Sequence, residues 1–284
     1  MSDTKTEAQP SEAMLSIFAE LGNSIKADSV KTLVPGGGVH NLTRHTMDTL
    51  EQAFIDHPQE EIHSVSGSGS DDDESTVKHS PIRDQMTKVM DLLDSNLESK
   101  SKLYKDHAQS YIFLMNNGRY ILQKVKGSNE IISLMGDSWC RQRSSNLRNY
   151  HKEYQRETWG RLLSCLNPDG LTVNGKVAKP VVKERFKSFN AMFDEIHKAQ
   201  CHWVVSDEQL QSELRVSISN MIIPAYRSFL GRFGQVFSPG RQMGKYVKYQ
   251  AEDIETYIED LFDGSAAHTG RKKSMKKKNY AEKS

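Results

Sequence analysis

Apolar residues recur along most of the chain at intervals of three and four, which is the spacing of an amphipathic helix. One narrow seam of this kind comprises Ala108, Tyr111, Met115, Gly118, Leu122 and Val125. A second, rich in aromatic residues, comprises Val182, Phe186, Phe189, Phe193 and Ile196. No segment shows the strict alternation that is typical of a half-buried strand. The pattern predicts an all-α protein in which successive helical hairpins form an α-solenoid or a stack of bundles.

Breaks between the periodic segments predict where the helices begin and end. The predicted helices cover residues 13–27, 41–54, 80–100 and 108–125, a long stretch from 137 to 167, and segments beginning at 180, 206 and 254. Ser80 and Ser206 are expected to cap their helices, because a serine side chain can accept a hydrogen bond from an unpaired amide of the first turn. Gly118 is expected to permit close approach of a second helix.

Composition divides the chain into structured and unstructured segments. Residues 58–79 are rich in Ser, Gly and Asp and include the acidic run Asp71–Glu74. Such a stretch buries too little apolar surface to offset its conformational entropy, so disorder is predicted. The predicted organisation is a disordered N-terminus at 1–12, a helical hairpin at 13–57, a disordered loop at 58–79, a middle bundle at 80–205, a C-terminal bundle at 206–264 and a disordered basic tail at 265–284.

Charge is distributed unevenly along the chain although the formal net charge is only +1. The tail carries +6, because Glu282 opposes seven basic residues: Arg271, Lys272, Lys273, Lys276, Lys277, Lys278 and Lys283. The remainder therefore carries −5. A basic segment on an acidic body suggests an anionic partner such as a membrane surface or a nucleic acid. Of the two, nucleic acid is the weaker candidate, since an acidic body disfavours extended contact with a duplex.

Motifs that would indicate catalysis or cofactor binding are incomplete. The glycines at 36–38 are followed by Val39 and His40, whereas a phosphate-binding loop requires Lys and then Ser or Thr. A helix-to-helix turn is the simpler interpretation. His197, Cys201 and His202 lie close in sequence, but no second cluster supplies further metal ligands at a recognised spacing. We therefore predict a protein that is not an enzyme and has no cofactor or metal.

The cellular location is predicted from what the chain lacks. No run approaches the roughly 18 apolar residues of a membrane span, and the polar segment 1–12 resembles neither a signal nor a transit peptide. The three cysteines are widely spaced and form no C-x-x-C pair, as is usual in a reducing compartment. A cytoplasmic protein is expected.

Several ordered motifs resemble the exocyst complex 70 kDa subunit family, in particular its plant branch. They are Val34–His40 with Leu42–Arg44, Tyr111–Asn117, Tyr120–Lys126, Leu134–Trp139, Tyr154–Trp159, Lys183–Phe186 with Phe189–Asn190, Ile223–Phe229 with Gly231–Gly234, and Lys245–Tyr249. The resemblance extends from Ala13 to Gly264. Family members are about twice as long, so it concerns their C-terminal half.

The resemblance implies an elongated rod of stacked helical bundles and a peripheral role at the plasma membrane. The implied function is the tethering of secretory vesicles in exocytosis, with other exocyst subunits and small Rho-type GTPases or their effectors as partners. It further implies that the C-terminal bundle binds phosphatidylinositol 4,5-bisphosphate through Lys245 and Lys248. The basic tail residues 271–278 are expected to add diffuse attraction to anionic lipid. The alternative is a helical protein-interaction scaffold without membrane binding.

Overall fold

The computed structural model describes residues 10–29, 31–58, 80–237 and 245–264. The helices are α1 (Pro10–Ala27), α2 (Asn41–Asp56), α3 (Pro81–Ser101), α4 (His107–Gly127), α5 (Asn129–Gln155), α6 (Arg161–Ser164), α7 (Lys179–Gln200), α8 (Glu208–Phe233) and α9 (Ala251–Glu259). A π-helical turn at Arg156–Gly160 joins α5 to α6, and 3-10 turns occupy Pro35–Gly37 and Gly234–Val236. The prediction of an all-α protein is confirmed.

Two short strands were not predicted from the sequence. β1 (Thr172–Val173) and β2 (Lys176–Val177) pair antiparallel in the connection before α7. Asn174 and Gly175 form the two-residue turn between them, and both have positive φ angles, of 50° and 74°. Asn-Gly is the sequence that this kind of hairpin turn favours. With two residues in each strand, the hairpin leaves the helical architecture unchanged.

Contacts between residues divide the chain into two units. Among the described residues, the first comprises those up to Val34, those from Val39 to Asp106 and those from Phe113 to Tyr150, and the second comprises Pro35–Gly38, His107–Ile112 and those from His151 onward. The main division therefore lies inside α5, whereas the sequence pattern predicts a boundary between a middle and a C-terminal bundle at 205/206. The contacts group α7 with the helices that follow it because α7 shares an aromatic core with α8.

The first unit has an apolar core built on α1 and α3, with contributions from α2, α4 and α5. Its fully buried members include Met14, Phe18, Met86 and Leu93. Gly118 is buried on α4, and a Cβ atom there would lie 2.8 Å from Leu147 Cδ2 of α5. Real Cβ atoms essentially never approach that closely, so any larger residue would force Leu147 to shift, and the predicted role of Gly118 in close helix packing is confirmed.

The second unit has an aromatic core. Phe186, Phe189 and Phe193 of α7 are at most 1% exposed, which confirms that this stripe is core and not a surface for stacking bases. Phe186 contacts Phe229 of α8 with ring centroids 5.0 Å apart, and Phe189 stacks on Tyr226 at 4.8 Å. Edge-to-face and offset-stacked arrangements of this kind suit the charge distribution of aromatic rings.

Two predicted helix caps differ from those in the structure. Ser80 precedes α3 with extended dihedrals, but its side chain makes no capping hydrogen bond. The cap of α8 is Asp207 and not Ser206, because Asp207 Oδ1 accepts a hydrogen bond from the Leu210 amide at 2.7 Å. Asp and Ser are nearly equivalent N-caps, so the sequence alone did not distinguish two adjacent candidates. The helix that was predicted to start at Asp137 is part of α5, which begins at Asn129. Gly136, with a φ of 80°, interrupts α5 directly before Asp137.

The glycine turn before α2 belongs to the second unit and packs tightly against Val204 within that unit. Gly36 has a φ of 68°, and its carbonyl accepts a hydrogen bond from the Val204 amide at 2.8 Å. A Cβ atom on Gly36 would lie 2.7 Å from Val204 Cγ2. Both the backbone conformation and the close contact therefore require glycine, and the interpretation of this run as a turn between helices is confirmed.

His40, the N-cap of α2, is expected to make stability depend on pH. Its Nδ1 accepts a hydrogen bond from the Leu42 amide at 3.0 Å, and burial and the charge of Lys100 hold the pKa of His40 below its ordinary value of 6.5, while Asp28 opposes them. The folded state thus disfavours the protonated imidazole. Its contribution to stability is fully present above that ordinary value and is lost as the pH falls below it.

Urea unfolding midpoints compared at pH 7.5 and 5.5 test this expectation. His40→Asn retains a capping oxygen but does not titrate, so its midpoint should fall less over this interval than that of the unaltered chain. His45→Asn, at an exposed position of the same helix, is the matched control and should keep the original pH dependence. Equal pH dependence in all three proteins would contradict the assignment.

Candidate anion-binding site

The segment that carries the two predicted lipid-binding lysines lies directly before α9. Lys245 and Lys248 are exposed, whereas Val247 and Tyr249 are each 5% exposed. Gln250 follows as the N-cap of α9 and forms a capping box with Asp253. The segment is therefore anchored by its apolar residues, with the two ammonium groups on the solvent side.

A polar stripe on α7 holds this segment in place. Asn190 Nδ2 donates a hydrogen bond to the carbonyl oxygen of Tyr246 at 2.8 Å. Asp194, one helical turn further on, accepts a hydrogen bond from the Tyr249 hydroxyl and forms an ion pair with Lys248 Nζ. Side chains four residues apart lie on the same face of a helix. The backbone of the segment thus follows α7 over at least one turn.

Tyr249 is fixed from several sides. Its carbonyl oxygen accepts a hydrogen bond from the Tyr226 hydroxyl of α8 at 2.7 Å. Its ring contacts Phe193 edge-on at 5.3 Å and Tyr257 at 5.5 Å. Burial, followed by the hydrogen bond to the Asp194 carboxylate, raises the pKa of Tyr249 far above its ordinary value of 10.0. The hydroxyl therefore stays protonated and continues to donate to Asp194.

Three lysines surround the ring of Tyr246. Lys183 Nζ lies 5.2 Å from the ring centroid, Lys245 Nζ 5.8 Å and Lys187 Nζ 6.0 Å. The ring itself is stacked on Phe237, with centroids 5.2 Å apart and planes inclined by 16°. Ammonium groups within about 6 Å of an aromatic ring gain a modest cation–π attraction. Tyr246 therefore gathers positive charge from α7 and from the segment at one place.

The carboxylates near these lysines neutralise only part of the charge. Glu184 lies 3.5 Å from Lys187 Nζ, and both side chains are more than half exposed. Asp194 is paired with Lys248. In the described part of the chain, neither Lys183 nor Lys245 has a carboxylate within ion-pair distance. The cluster Lys183, Lys187 and Lys245 therefore carries a net positive charge, and its arrangement suits an anionic group.

The residues weighed as a metal site have other contacts. The ring of His197 packs edge-on against Tyr257 at 4.6 Å. Cys201 Sγ lies 3.0 Å from His202 Nδ1, which is also 3.0 Å from the Lys198 carbonyl oxygen. Within residues 10–29, 31–58, 80–237 and 245–264, no three His, Cys, Asp or Glu side chains are placed to hold a metal ion. Nor is any described helix both long and apolar enough to cross a bilayer.

Comparison with known proteins identifies the family. The family described as the C-terminal part of the Exo70 exocyst complex subunit matches residues 5–260. This chain belongs to the Exo70 family. It is 57% identical to exocyst complex component EXO70C1 of Arabidopsis thaliana over 280 residues, covering 92% of this chain and 43% of that protein. It is 30% identical to human exocyst complex component 7, covering 87% of this chain and 35% of that protein.

Solved structures support the Exo70 fold. An S. cerevisiae Exo70 structure matches 89% of this chain and 52% of the yeast chain, with a TM-score of 0.65 at 20% sequence identity. The chain spans about two-fifths of the length of the Arabidopsis relatives EXO70C1 and EXO70C2. The resemblance predicted from the sequence motifs is confirmed, and membership of a family of exocyst subunits agrees with the prediction of a non-enzymatic protein.

Of the predicted lipid-binding residues, the structure places Lys245 and Lys248 on one exposed edge of the Exo70 fold. The tail residues 271–278 lie outside the described residues. The contributions of Lys183, Lys187, Asn190 and Asp194 were not predicted from the sequence. Their spacing of four, three and four was a usable signal, because it marks a polar stripe on α7 beside the aromatic one. Nothing in the sequence indicated which segment that stripe would contact.

Proposed function

We propose that this chain is an exocyst-type tethering module that acts in exocytosis and binds anionic phosphoinositides at the cytoplasmic face of the plasma membrane. Family membership supports the first part, since the relatives that match are named as exocyst components. The chain covers less than half of those relatives, and we extend to it the exocyst role of the whole proteins. Other exocyst subunits are the proposed partners, with small Rho-type GTPases or their effectors as further candidates.

The observation that supports membrane binding is the unneutralised positive charge around Tyr246. Val247 and Tyr249 anchor the Lys245–Tyr249 segment by their burial, so its backbone needs no ordering when a ligand binds. Fixed ammonium groups discriminate a multiply phosphorylated headgroup from a singly charged lipid better than a flexible chain does. The proposed ligand is therefore phosphatidylinositol 4,5-bisphosphate, bound by Lys245 and by Lys248, whose solvent-exposed pair with Asp194 is weak enough for a phosphate to replace the carboxylate.

Liposome flotation tests this proposal. The chain is mixed with liposomes that contain phosphatidylinositol 4,5-bisphosphate, and separately with phosphatidylserine liposomes of equal total charge. We expect tighter binding to the phosphoinositide. Lys245→Ala combined with Lys248→Ala should abolish most of this preference, because these two ammonium groups are the ones proposed to contact the headgroup phosphates directly.

Two outcomes of the flotation assay would contradict the proposal. No preference by the unaltered chain would favour the alternative, a helical interaction scaffold without membrane binding. Full retention of the preference by a folded double variant would show that Lys245 and Lys248 are not the binding residues. Circular dichroism of the variant provides the control for folding.

The basic tail is proposed to supply attraction that does not discriminate between lipids. Removal of residues 265–284 deletes a net charge of +6. The truncated chain should bind both kinds of liposome more weakly, and its affinity should depend less on salt, because exposed charges are screened over about 8 Å at physiological ionic strength. Its preference for the phosphoinositide should remain. Unchanged affinity for phosphatidylserine after truncation would contradict this role.

A further inference from the structure

The polar stripe on α7 continues past the residues that hold the Lys245–Tyr249 segment. Lys183, Lys187, Asn190 and Asp194 follow one another at spacings of four, three and four, so they share one face of the helix. Asn190 and Asp194 bind the segment, as described above. Lys183 and Lys187 instead direct their ammonium groups to Tyr246, where Lys245 also lies. On this face, Asn190 and Asp194 thus anchor the segment, whereas Lys183 and Lys187 contribute positive charge beside Tyr246.

We propose that Lys183 and Lys187 of α7 bind the phosphate groups of the headgroup together with Lys245. The inference rests on the proposed function, because it takes phosphoinositide binding as given and assigns two further residues to that site. It places the centre of the site at Tyr246, between α7 and the segment that precedes α9. The ligand chemistry is a ring that bears two neighbouring phosphate monoesters.

Geometry supports a single site formed by the three lysines. The three Nζ atoms lie between 5.2 and 6.0 Å from the centre of the Tyr246 ring. Any two of these atoms are therefore separated by at most twice 6.0 Å. The ring cannot move away from them, since it stacks on the buried Phe237 and its backbone carbonyl is held by Asn190. Each ammonium group lies closer to the ring than the Debye length, which is about 8 Å at physiological salt, so the three act together on a ligand bound at the ring.

The existing ion pairs explain why lysines from α7 are needed at the site. Lys248 is already paired with Asp194, which leaves Lys245 as the one lysine of the segment without a carboxylate among the described residues. Lys183 likewise has none. Lys187 faces Glu184 in a solvent-exposed pair at 3.5 Å, and such pairs are weak enough for a phosphate to replace the carboxylate. Crowding of three ammonium groups is unfavourable in the free protein and is relieved when a multiply charged anion binds.

The test compares two double variants of the full chain that remove the same charge from α7. The site variant is Lys183→Gln with Lys187→Gln, in which each glutamine keeps part of the aliphatic stem against Tyr246. The control variant is Lys179→Gln with Lys198→Gln, at two exposed positions of the same helix outside the cluster. Both are measured by flotation with phosphatidylinositol 4,5-bisphosphate liposomes and with phosphatidylserine liposomes of equal charge, and their folding is compared by thermal melting.

We expect the site variant to lose about 30-fold in affinity for the phosphoinositide liposomes relative to the control variant, since each lost charge-assisted contact with a phosphate group costs at least about fivefold. On phosphatidylserine liposomes it should behave like the control variant. Soluble inositol 1,4,5-trisphosphate, measured by calorimetry, separates recognition of the headgroup from attraction to a surface. It should bind the unaltered chain and the control variant equally, and the site variant more weakly.

Equal affinity of the site and control variants for phosphoinositide liposomes overturns the assignment of Lys183 and Lys187. Equal affinity of all three proteins for the soluble trisphosphate also overturns it, because the lysines would then act only through surface charge. The two proposals fail differently. No preference by the unaltered chain contradicts phosphoinositide binding itself, whereas a preference that disappears in the Lys245 and Lys248 double variant but survives in the site variant contradicts this inference alone.

Discussion

Replacement of Phe189 by alanine is expected to lower the free energy of unfolding by about 3–5 kcal/mol, the range for removing a buried phenylalanine ring. Phe189 is fully buried and stacks on two rings, Phe193 at 5.9 Å and Tyr226 at 4.8 Å. Neither neighbour is able to fill the space without abandoning its own contacts. Denaturant unfolding followed by circular dichroism measures the effect.

A substitution at an exposed position of the neighbouring helix is the control, since it shows whether the loss of stability depends on burial of the side chain. Val216→Ala on α8, where the side chain is 55% exposed, should change stability by no more than about 0.5 kcal/mol. A loss below about 1 kcal/mol for Phe189→Ala, comparable with an average substitution, would show that the aromatic core is not packed as described.

Phe189→Ala should also weaken the candidate anion-binding site. The Tyr226 hydroxyl holds the carbonyl oxygen of Tyr249, and the Tyr226 ring rests on Phe189. A cavity beneath Tyr226 would therefore loosen the segment that carries Lys245. Packing of the core and presentation of the lysines are consequently parts of one structure, which explains how an aromatic stripe without exposed atoms contributes to a surface site.

The helices and the aromatic core were predictable from the sequence because their signals are local. The three phenylalanines of α7 recur at helical spacing, and that periodicity alone requires a dry face. The cap of α8 and the break at Gly136 were harder to predict. Ser206 and Asp207 are adjacent and have similar N-cap preferences. Which of them caps the helix depends on the backbone dihedral angles, and residue preferences do not predict those.

The candidate site was predictable only in part because it is assembled from distant segments. The resemblance of Lys245–Tyr249 to a family motif identified two lysines, but it did not reveal that Lys248 is paired with Asp194, 54 residues earlier. Two other motifs of the family resemblance meet in the first unit: the Thr43 hydroxyl donates to Asn117 Oδ1 at 2.7 Å, and the His40 amide donates to the same oxygen at 2.9 Å. Motifs recognised separately in the sequence were thus in contact through tertiary structure.

Loss of the Lys100 ammonium group is expected to be as damaging as the cavity at Phe189. Lys100 Nζ pairs with Asp28 Oδ2 at 3.1 Å, and the two side chains are only 7% and 13% exposed. Lys100→Met keeps the aliphatic stem but leaves a carboxylate in a poorly solvated site. Removing one partner of a buried pair typically costs about 3–5 kcal/mol, far more than breaking an exposed pair.

A double-mutant cycle distinguishes a buried charge pair from simple loss of packing. Asp28→Asn combined with Lys100→Met leaves no uncompensated charge, so the double variant should be more stable than Lys100→Met alone. The exposed pair between Arg227 and Glu252, with side chains 55% and 73% exposed, provides the matched comparison. Arg227→Met should cost far less than Lys100→Met, because an exposed pair contributes little to stability. If Lys100→Met costs no more than this, or if Asp28→Asn fails to restore any stability, the pair does not hold α3 to the end of α1 in the way that its burial implies.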